Sequence, residues 1–252
     1  MVEDKLSGVT MAFSRFLLYS SLITAFIFMM SGYGYQWRLW ELGVAFLFLR
    51  YSAYAAIALA VVSLVSLWFL RKSKSQVIFY AIISLILSGI VGGSAFYWQQ
   101  RAQSVPPIHD ITTDLVDPPE FVAMVRLRTD APNPPEYAGE ETRQAQIEAY
   151  PEVKPLMLEA DLQDVMDFAV MMILQRNWDL VAINRNQKRI EATEKLAWFG
   201  FKDDVVLRFT EMENGGTRVD MRSKSRIGRS DVGVNAKRIN RFLTDLEQSL
   251  GN

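Results

Sequence analysis

The stretch that decides the C-terminal fold is TRVDMRSKSRIGRSDVGVNAKRINRF, residues 217–242. Its first third alternates charged with apolar residues, as a β-strand does, and its last third has the spacing of an amphipathic helix. Gly228 and Gly233 lie between these parts and favour a loop. The stretch carries eight basic residues and two acidic ones. The acidic residues are Asp220 and Asp231, and the basic residues are Arg218, Arg222, Lys224, Arg226, Arg229, Lys237, Arg238 and Arg241.

The neighbouring sequence predicts an α+β domain around this stretch. Apolar residues recur at helical spacing over 158–175 and again over 235–250. Four strand-like segments lie between the two predicted helices, at 180–184, 188–193, 204–211 and 217–224. Asn214-Gly215-Gly216 joins the last two segments and is a strong hairpin signal. The order α-β-β-β-β-α predicts an antiparallel sheet covered by helices.

The N-terminal part of the chain predicts an α-helical membrane region with three transmembrane helices. Apolar runs cover residues 16–33, 51–70 and 77–98, and each is long enough to cross about 30 Å of hydrocarbon. We interpret the first run as a retained span, because no small-residue cleavage pattern follows it closely. The predicted organisation is a three-span membrane domain over 1–98, a proline-containing linker over 99–119 and an extracytoplasmic α+β domain over 120–252.

The orientation follows from the charges between the spans. Arg71, Lys72 and Lys74 form a short basic loop without acidic residues, and such loops are retained in the cytoplasm. The N-terminus is then cytoplasmic, and the C-terminal domain lies on the other side of the membrane. Residues 37–50 are apolar but contain Arg50, whose charge is costly inside a bilayer. We therefore expect residues 37–50 to form an interfacial helix and not an early extension of the second span.

Several classes of chemistry have no support in the sequence. The chain has no cysteine, which excludes disulfides, thiol catalysis and cysteine-containing zinc sites. It has no nucleophile elbow, phosphate loop or H-E-x-x-H motif, and it predicts no cofactor. The single histidine, His109, is close in sequence to Asp110, Asp114 and Asp117. These residues are typical either of an acid–base or divalent-cation site or, more commonly, of local turn hydrogen bonds.

The basic stretch contains the predicted ligand site. On one strand face, Arg222, Lys224 and Arg226 would repel one another unless carboxylates or a bound anion compensated for them. Lys237 and Arg238 begin a helix whose dipole is already positive at that end. The predicted ligand-binding residues are Arg222, Lys224, Arg226, Arg229, Asp231 and Arg238, with Asp231 expected to orient an arginine. The alternative is internal pairing with Asp203, Asp204 and Asp231.

Several blocks of the sequence resemble domain-of-unknown-function family 1499 (DUF1499). The blocks are MRSKSRIGRSDVGVNAKRI (221–239), PPIHDITTD (106–114), DPPEF (117–121), YPEVKPL (150–156) and the pair Asp203 and Asp204 before a strand. The resemblance covers about residues 100–250, and the three spans resemble the membrane version of the family in Gram-negative bacteria. It implies an envelope location and a domain identity, and it carries over no catalytic residue.

These observations lead to one functional expectation and two alternatives. The first is a bacterial inner-membrane protein whose periplasmic domain binds an anionic envelope component, such as an anionic lipid, or an acidic partner. The alternatives are a structural or assembly subunit that docks a partner protein through its basic stretch, and a metal-dependent envelope hydrolase. The three apolar runs make the lipid bilayer an expected partner. The basic charge is local and the chain has a net charge of -1, so we expect no nucleic acid as a partner.

Overall fold

The protein consists of two compact units. A computed structural model describes residues 2–213 and 215–251. One unit extends to Gln100 and also includes Trp198–Gly200, and the other contains the remaining residues from Arg101 onward. Within the first unit, the indole of Trp198 donates a hydrogen bond of 2.8 Å to the carbonyl oxygen of Met29.

Three long apolar helices form the N-terminal part, as the sequence predicts. They are α1 (Val2–Gln36), α2 (Leu42–Leu70) and α3 (Ser75–Ser104). All three have the length and composition needed to cross a membrane. Buried serine hydroxyls connect them: the hydroxyl of Ser84 on α3 lies 2.7 Å from that of Ser21 on α1 and 2.8 Å from that of Ser63 on α2. Hydrogen bonds of this kind stabilise helix association where the surroundings are apolar.

The prediction of a separate interfacial helix over 37–50 is wrong. Helix α2 begins at Leu42 and continues without a break through Arg50 to Leu70. No proline interrupts this sequence, and Gly43 lies in the first turn, where it does little harm to the helix. The side chain of Arg50 is exposed, so its long stem can move the charge away from the apolar helix surface.

The second unit is an antiparallel sheet with helices on one face, which confirms the predicted fold class. Its strands are β1 (Asp110–Thr112), β2 (Leu156–Leu158), β3 (Asp179–Asn184), β4 (Arg189–Lys195), β5 (Lys202–Glu211) and β6 (Thr217–Ser225), and its helices are α4 (Glu140–Ala149), α5 (Leu162–Gln175) and α6 (Val234–Leu250). The sheet order is β1-β6-β5-β4-β3, and β2 also pairs with β6. Asn214, in the predicted turn between β5 and β6, lies outside the described residues.

The main core lies between the sheet and helices α5 and α6. Val219 and Met221 on β6 are fully buried in it, opposite the charged face of the strand, as the alternation predicts. Phe242 on α6 is 1% exposed and stacks on Trp178 with ring centroids 5.5 Å apart. Burial of these side chains supplies most of the stability that holds α6, and therefore the loop before it, against the sheet.

An irregular segment, residues 113–138, contributes a second small core. It contains a 3₁₀ helix, Met124–Leu127, and its Phe121 and Met124 pack against Val206 of β5. The region predicted as a linker contains regular structure, because α3 continues to Ser104 and Asp110–Thr112 pair with β6. A strand of three residues is too short to give a periodic signal, which is why the sequence did not indicate it.

Candidate anion-binding site

The charged face of β6 is buried and not solvated. Arg222 and Lys224 are each 1% exposed, and Arg226 is partly buried. With three further charged residues they form a group that we call the buried charge cluster: Asp110, Arg128, Asp204, Arg222, Lys224 and Arg226. Four cations in this cluster share two carboxylates, so its geometry must compensate for an excess of positive charge.

Asp110 compensates for two of the four cations. Its carboxylate accepts hydrogen bonds of 2.9 Å from both Nε and Nη2 of Arg222, and it lies 3.1 Å from Nζ of Lys224. The register explains both contacts, because Asp110 lies directly opposite Lys224 and diagonally across from Arg222. The guanidinium of Arg222 also lies over the rings of Phe121, at 4.8 Å, and Tyr137, at 5.5 Å. Arg222 is therefore held on every side by protein groups.

Asp204 compensates for the other two cations. It accepts hydrogen bonds of 2.8 Å from Nε and Nη2 of Arg226, and one of 2.6 Å from Nη1 of Arg128. Backbone carbonyl oxygens accept further hydrogen bonds from this cluster: Arg226 donates to that of Leu127, and Lys224 donates to that of Glu136. Burial lowers the pKa of both Arg128 and Lys224, although the nearby aspartates oppose this effect.

Arg238 and Asp231 have separate roles on the helical face of the sheet. Arg238 is 7% exposed and pairs with Asp203, at 2.6 Å, and with Glu194. Asp231 accepts hydrogen bonds from the backbone N–H groups of Gly233, at 2.7 Å, and Asn235, at 2.8 Å. It thus caps the start of α6 and makes no ion pair with an arginine within the described part of the chain. Burial raises the pKa of Asp231.

Arg229 is the one predicted site residue that the structure leaves exposed. No ion pair to its guanidinium is present among the described residues, and its carbonyl oxygen lies 3.5 Å from Nδ1 of His109. Burial lowers the pKa of His109, so the ring is neutral near pH 7. The described residues contain no group of three or more His, Asp or Glu side chains arranged to hold a metal ion. A hydrolase function for His109 stays a prediction.

A pocket on the outer side of α6 brings together basic residues that the strand pattern did not indicate. We call it the α6 pocket; its volume is about 480 Å³. It is lined by Arg101, Tyr150, Glu152, Gly233, Ala236, Lys237, Asn240, Arg241, Thr244 and Asp245. Both of its acidic residues have partners, because Glu152 accepts a hydrogen bond from Asn240 and Asp245 pairs with Arg176.

Two cations of the α6 pocket lack a carboxylate partner within the described residues. Lys237 is exposed and has no ion pair there. Arg101 donates from Nε to the carbonyl oxygen of Val232 at 3.2 Å and likewise has no ion pair. Lys237 lies in the first turn of α6, where the helix dipole already presents positive charge. The positive charge at this end of α6 is therefore not neutralised by the described side chains.

Tyr150 places an unpartnered hydroxyl beside these cations. The residue is 9% exposed, and its buried hydroxyl has no hydrogen-bond partner among the residues that the structure describes. An unpaired buried polar group costs about 1–3 kcal/mol, so the position is unfavourable without a ligand. Gly233, with φ of 76°, makes the arrangement possible: a Cβ there would lie 3.0 Å from Nη2 of Arg101 and 3.1 Å from the Tyr150 hydroxyl.

The sequence pattern could not have assembled this pocket. The sequence places Lys237 at the start of a helix, but Arg101 and Tyr150 are more than eighty residues away from it in the chain. Neither residue lies in a periodic pattern whose charged face would point to a site. The sequence offers only a weaker signal, which is Gly233 directly before a basic helix. A glycine there lets other groups approach the backbone closely, because it has no side chain.

Comparison with known proteins identifies the second unit. No curated protein and no solved structure matches the chain significantly. A family model described as "Protein of unknown function (DUF1499)" matches residues 110–246, which is more than half of the chain and extends from β1 into α6. The chain therefore belongs to the DUF1499 family.

Proposed function

We propose that the chain is a bacterial inner-membrane protein whose C-terminal domain faces the periplasm and binds an anionic envelope component. The observation that carries the proposal is the α6 pocket, where Arg101 and Lys237 have no carboxylate partner within the described residues. The basic loop at Arg71, Lys72 and Lys74 supports the orientation, since such loops are retained in the cytoplasm.

The binding site in this proposal is the α6 pocket and not the buried charge cluster. Arg222, Lys224, Arg226 and Arg238 all have carboxylate partners, and three of the four are less than one-tenth exposed. An incoming anion would have to displace Asp110, Asp203 or Asp204. In the α6 pocket an anion would meet cations that are accessible, in an open depression of about 480 Å³.

The test is native mass spectrometry of the detergent-solubilised full-length protein with its bound molecules retained. We expect the wild type to retain an anionic species, and the double variant Lys237→Glu/Arg241→Glu to lose it, because the substitutions reverse two charges that line the pocket. The matched control is Lys195→Glu/Lys202→Glu, which reverses two exposed charges on neighbouring strands. Equal retention by the wild type and the pocket variant would refute this proposal.

The same experiment separates the proposal from the docking alternative. A partner protein that remains bound to the wild type and is lost from the pocket variant would favour an assembly subunit, since the same exposed cations can bind an acidic protein surface. A small anion that is retained in a fixed ratio to the chain supports the ligand-binding function.

A further inference from the structure

The Tyr150 hydroxyl specifies the chemistry of a ligand in the α6 pocket more closely than charge alone does. Tyr150 is 9% exposed and lines the pocket, and within the described part of the chain its hydroxyl has no hydrogen-bond partner. Burial raises the pKa of this hydroxyl, so it keeps its proton at neutral pH, and its oxygen is covered until a ligand enters. The hydroxyl and Nη2 of Arg101 lie on the same side of Gly233, about 3 Å from the position that a Cβ would take.

Three groups of the α6 pocket are hydrogen-bond donors of different geometry, while its two carboxylates, Glu152 and Asp245, are partnered by Asn240 and Arg176. Arg101 offers a planar fork, Lys237 a compact ammonium group and Tyr150 a neutral hydroxyl. They lie at the N-terminal end of α6, a helix of 17 residues whose dipole adds positive potential. A tetrahedral oxyanion can accept from three directions at once, whereas a carboxylate presents two oxygens in one plane.

We infer that the anion bound in the α6 pocket is a phosphate group, held by Arg101, Lys237 and the hydroxyl of Tyr150. This inference rests on the proposed anion-binding function and specifies its ligand. The group has two possible sources. Arg101 is three residues after Trp98 in the sequence, and an aromatic residue near the end of an apolar run is typical of a membrane interface, so a phospholipid headgroup is one source. The other is a free phosphate or a soluble phosphate ester.

The test has two arms, both with the full-length protein. In the first, inorganic phosphate and acetate are titrated into the protein in a neutral detergent, and heat of binding is measured. In the second, the protein is reconstituted in vesicles of digalactosyldiacylglycerol, an uncharged lipid without phosphate, with and without phosphatidylglycerol, and retained lipid is counted by native mass spectrometry. Binding in the first arm alone identifies a soluble source, and binding in the second alone identifies a headgroup; either supports the phosphate site.

Single variants test whether the α6 pocket is the site that binds phosphate. Tyr150→Phe removes one oxygen and leaves the packing, so we expect the dissociation constant for the bound phosphate species to rise about tenfold. Lys237→Ala should weaken binding at least as much, and Lys195→Ala, an exposed lysine outside the pocket, should have no effect. Melting temperatures of the variants confirm that the domain is intact.

The result that overturns the inference leaves the proposed function standing. If an anionic species without phosphorus is retained by the wild type and lost on charge reversal at Lys237 and Arg241, the domain binds an anion that is not phosphate. Phosphate binding that is unchanged in both Tyr150→Phe and Lys237→Ala also overturns it. If no anionic species is retained in any experiment, the proposed function and this inference both fail.

Discussion

The carboxylate of Asp110 accepts two hydrogen bonds of 2.9 Å from the guanidinium of Arg222, which lies 112 residues later in the chain. Both side chains are almost completely buried. The pair connects β1, the first strand of the domain, to β6, which also pairs with β2 and β5. Because Arg222 also donates to the carbonyl oxygens of Pro119 and Pro135, it fixes the irregular 113–138 segment against β6.

Removal of Arg222 should destabilise the domain strongly. Arg222→Ala breaks a buried ion pair and leaves Asp110 with Lys224 and the backbone N–H of Ala138 as its partners among the described residues. Breaking a buried ion pair costs about 3–5 kcal/mol. The measurement is hydrogen exchange of the β6 amides in the detergent-solubilised protein, which reports the free energy of opening. Arg229→Ala is the matched control, because Arg229 is exposed and its loss should change stability by no more than about 0.5 kcal/mol. Similar exchange in both variants would contradict a structural role for Arg222.

Replacement of the whole Asp110 group should cost less than loss of its carboxylate alone. Asp110→Leu leaves Arg222 and Lys224 buried without their carboxylate partner. In the triple variant Asp110→Leu/Arg222→Met/Lys224→Met none of these three charges is left unpaired, and apolar replacements of buried ion pairs are often neutral or stabilising. We expect the free energy of unfolding of the triple variant to exceed that of Asp110→Leu, as measured by chemical denaturation in detergent. A triple variant that is less stable than Asp110→Leu would contradict this account of the cluster.

Lys224 should give the domain an alkaline pH dependence. Burial lowers its pKa from the ordinary value of 10.5, so the unfolded chain binds this proton more tightly than the folded chain does. Stability attributable to Lys224 therefore rises as the pH increases from the lowered pKa toward 10.5. Lys224→Met does not titrate, and the stability of the wild type relative to this variant should rise over that interval. A difference between the two proteins that stays constant with pH would show that the lysine is not desolvated.

The sequence predicted the elements whose signals are local. Strand β6 was expected over 217–224 and spans Thr217–Ser225, because its alternation is complete within one segment. The buried charge cluster was not predictable in the same way. The sequence shows its charges but places Asp110 in a linker, and only the strand register shows that Asp110 lies opposite Lys224. A charged strand face can therefore indicate either a ligand site or internal ion pairs, and only the long-range strand pairing distinguishes the two.

The irregular segment, residues 113–138, and the α6 pocket also depend on long-range contacts that the sequence does not show. Proline-rich residues 113–138 have no periodicity, so nothing in the sequence indicates that they bury the charged face of β6. Helix α4 was also missed, because its ten residues are mostly polar and only Gln146 is buried. Tyr150 follows this helix directly. Its unpartnered hydroxyl is a property of packing, and no residue type or spacing predicts it.

Truncation of the α6 core should be as costly as loss of the buried ion pair. Phe242 is 1% exposed and stacks on Trp178, so Phe242→Ala should lower the free energy of unfolding by about 3–5 kcal/mol. Leu174→Ala is a suitable control, since Leu174 is 56% exposed on α5 and its truncation leaves no cavity. Chemical denaturation of both variants provides the comparison. Equal stability of Phe242→Ala and the wild type would mean that α6 does not depend on this contact.

The orientation in the membrane should follow the basic loop between α2 and α3. Arg71, Lys72 and Lys74 give this short connection three positive charges and no negative one, and the positive-inside rule retains such loops in the cytoplasm. A reporter that is active only in the periplasm should therefore be active when fused after Asn252 and inactive when inserted at Ser73. A reporter that is active only in the cytoplasm serves as the control and should give the opposite pair of results. If Ser73 proved periplasmic, the α6 pocket would face the cytoplasm, and its anion would have to be sought among cytoplasmic ligands.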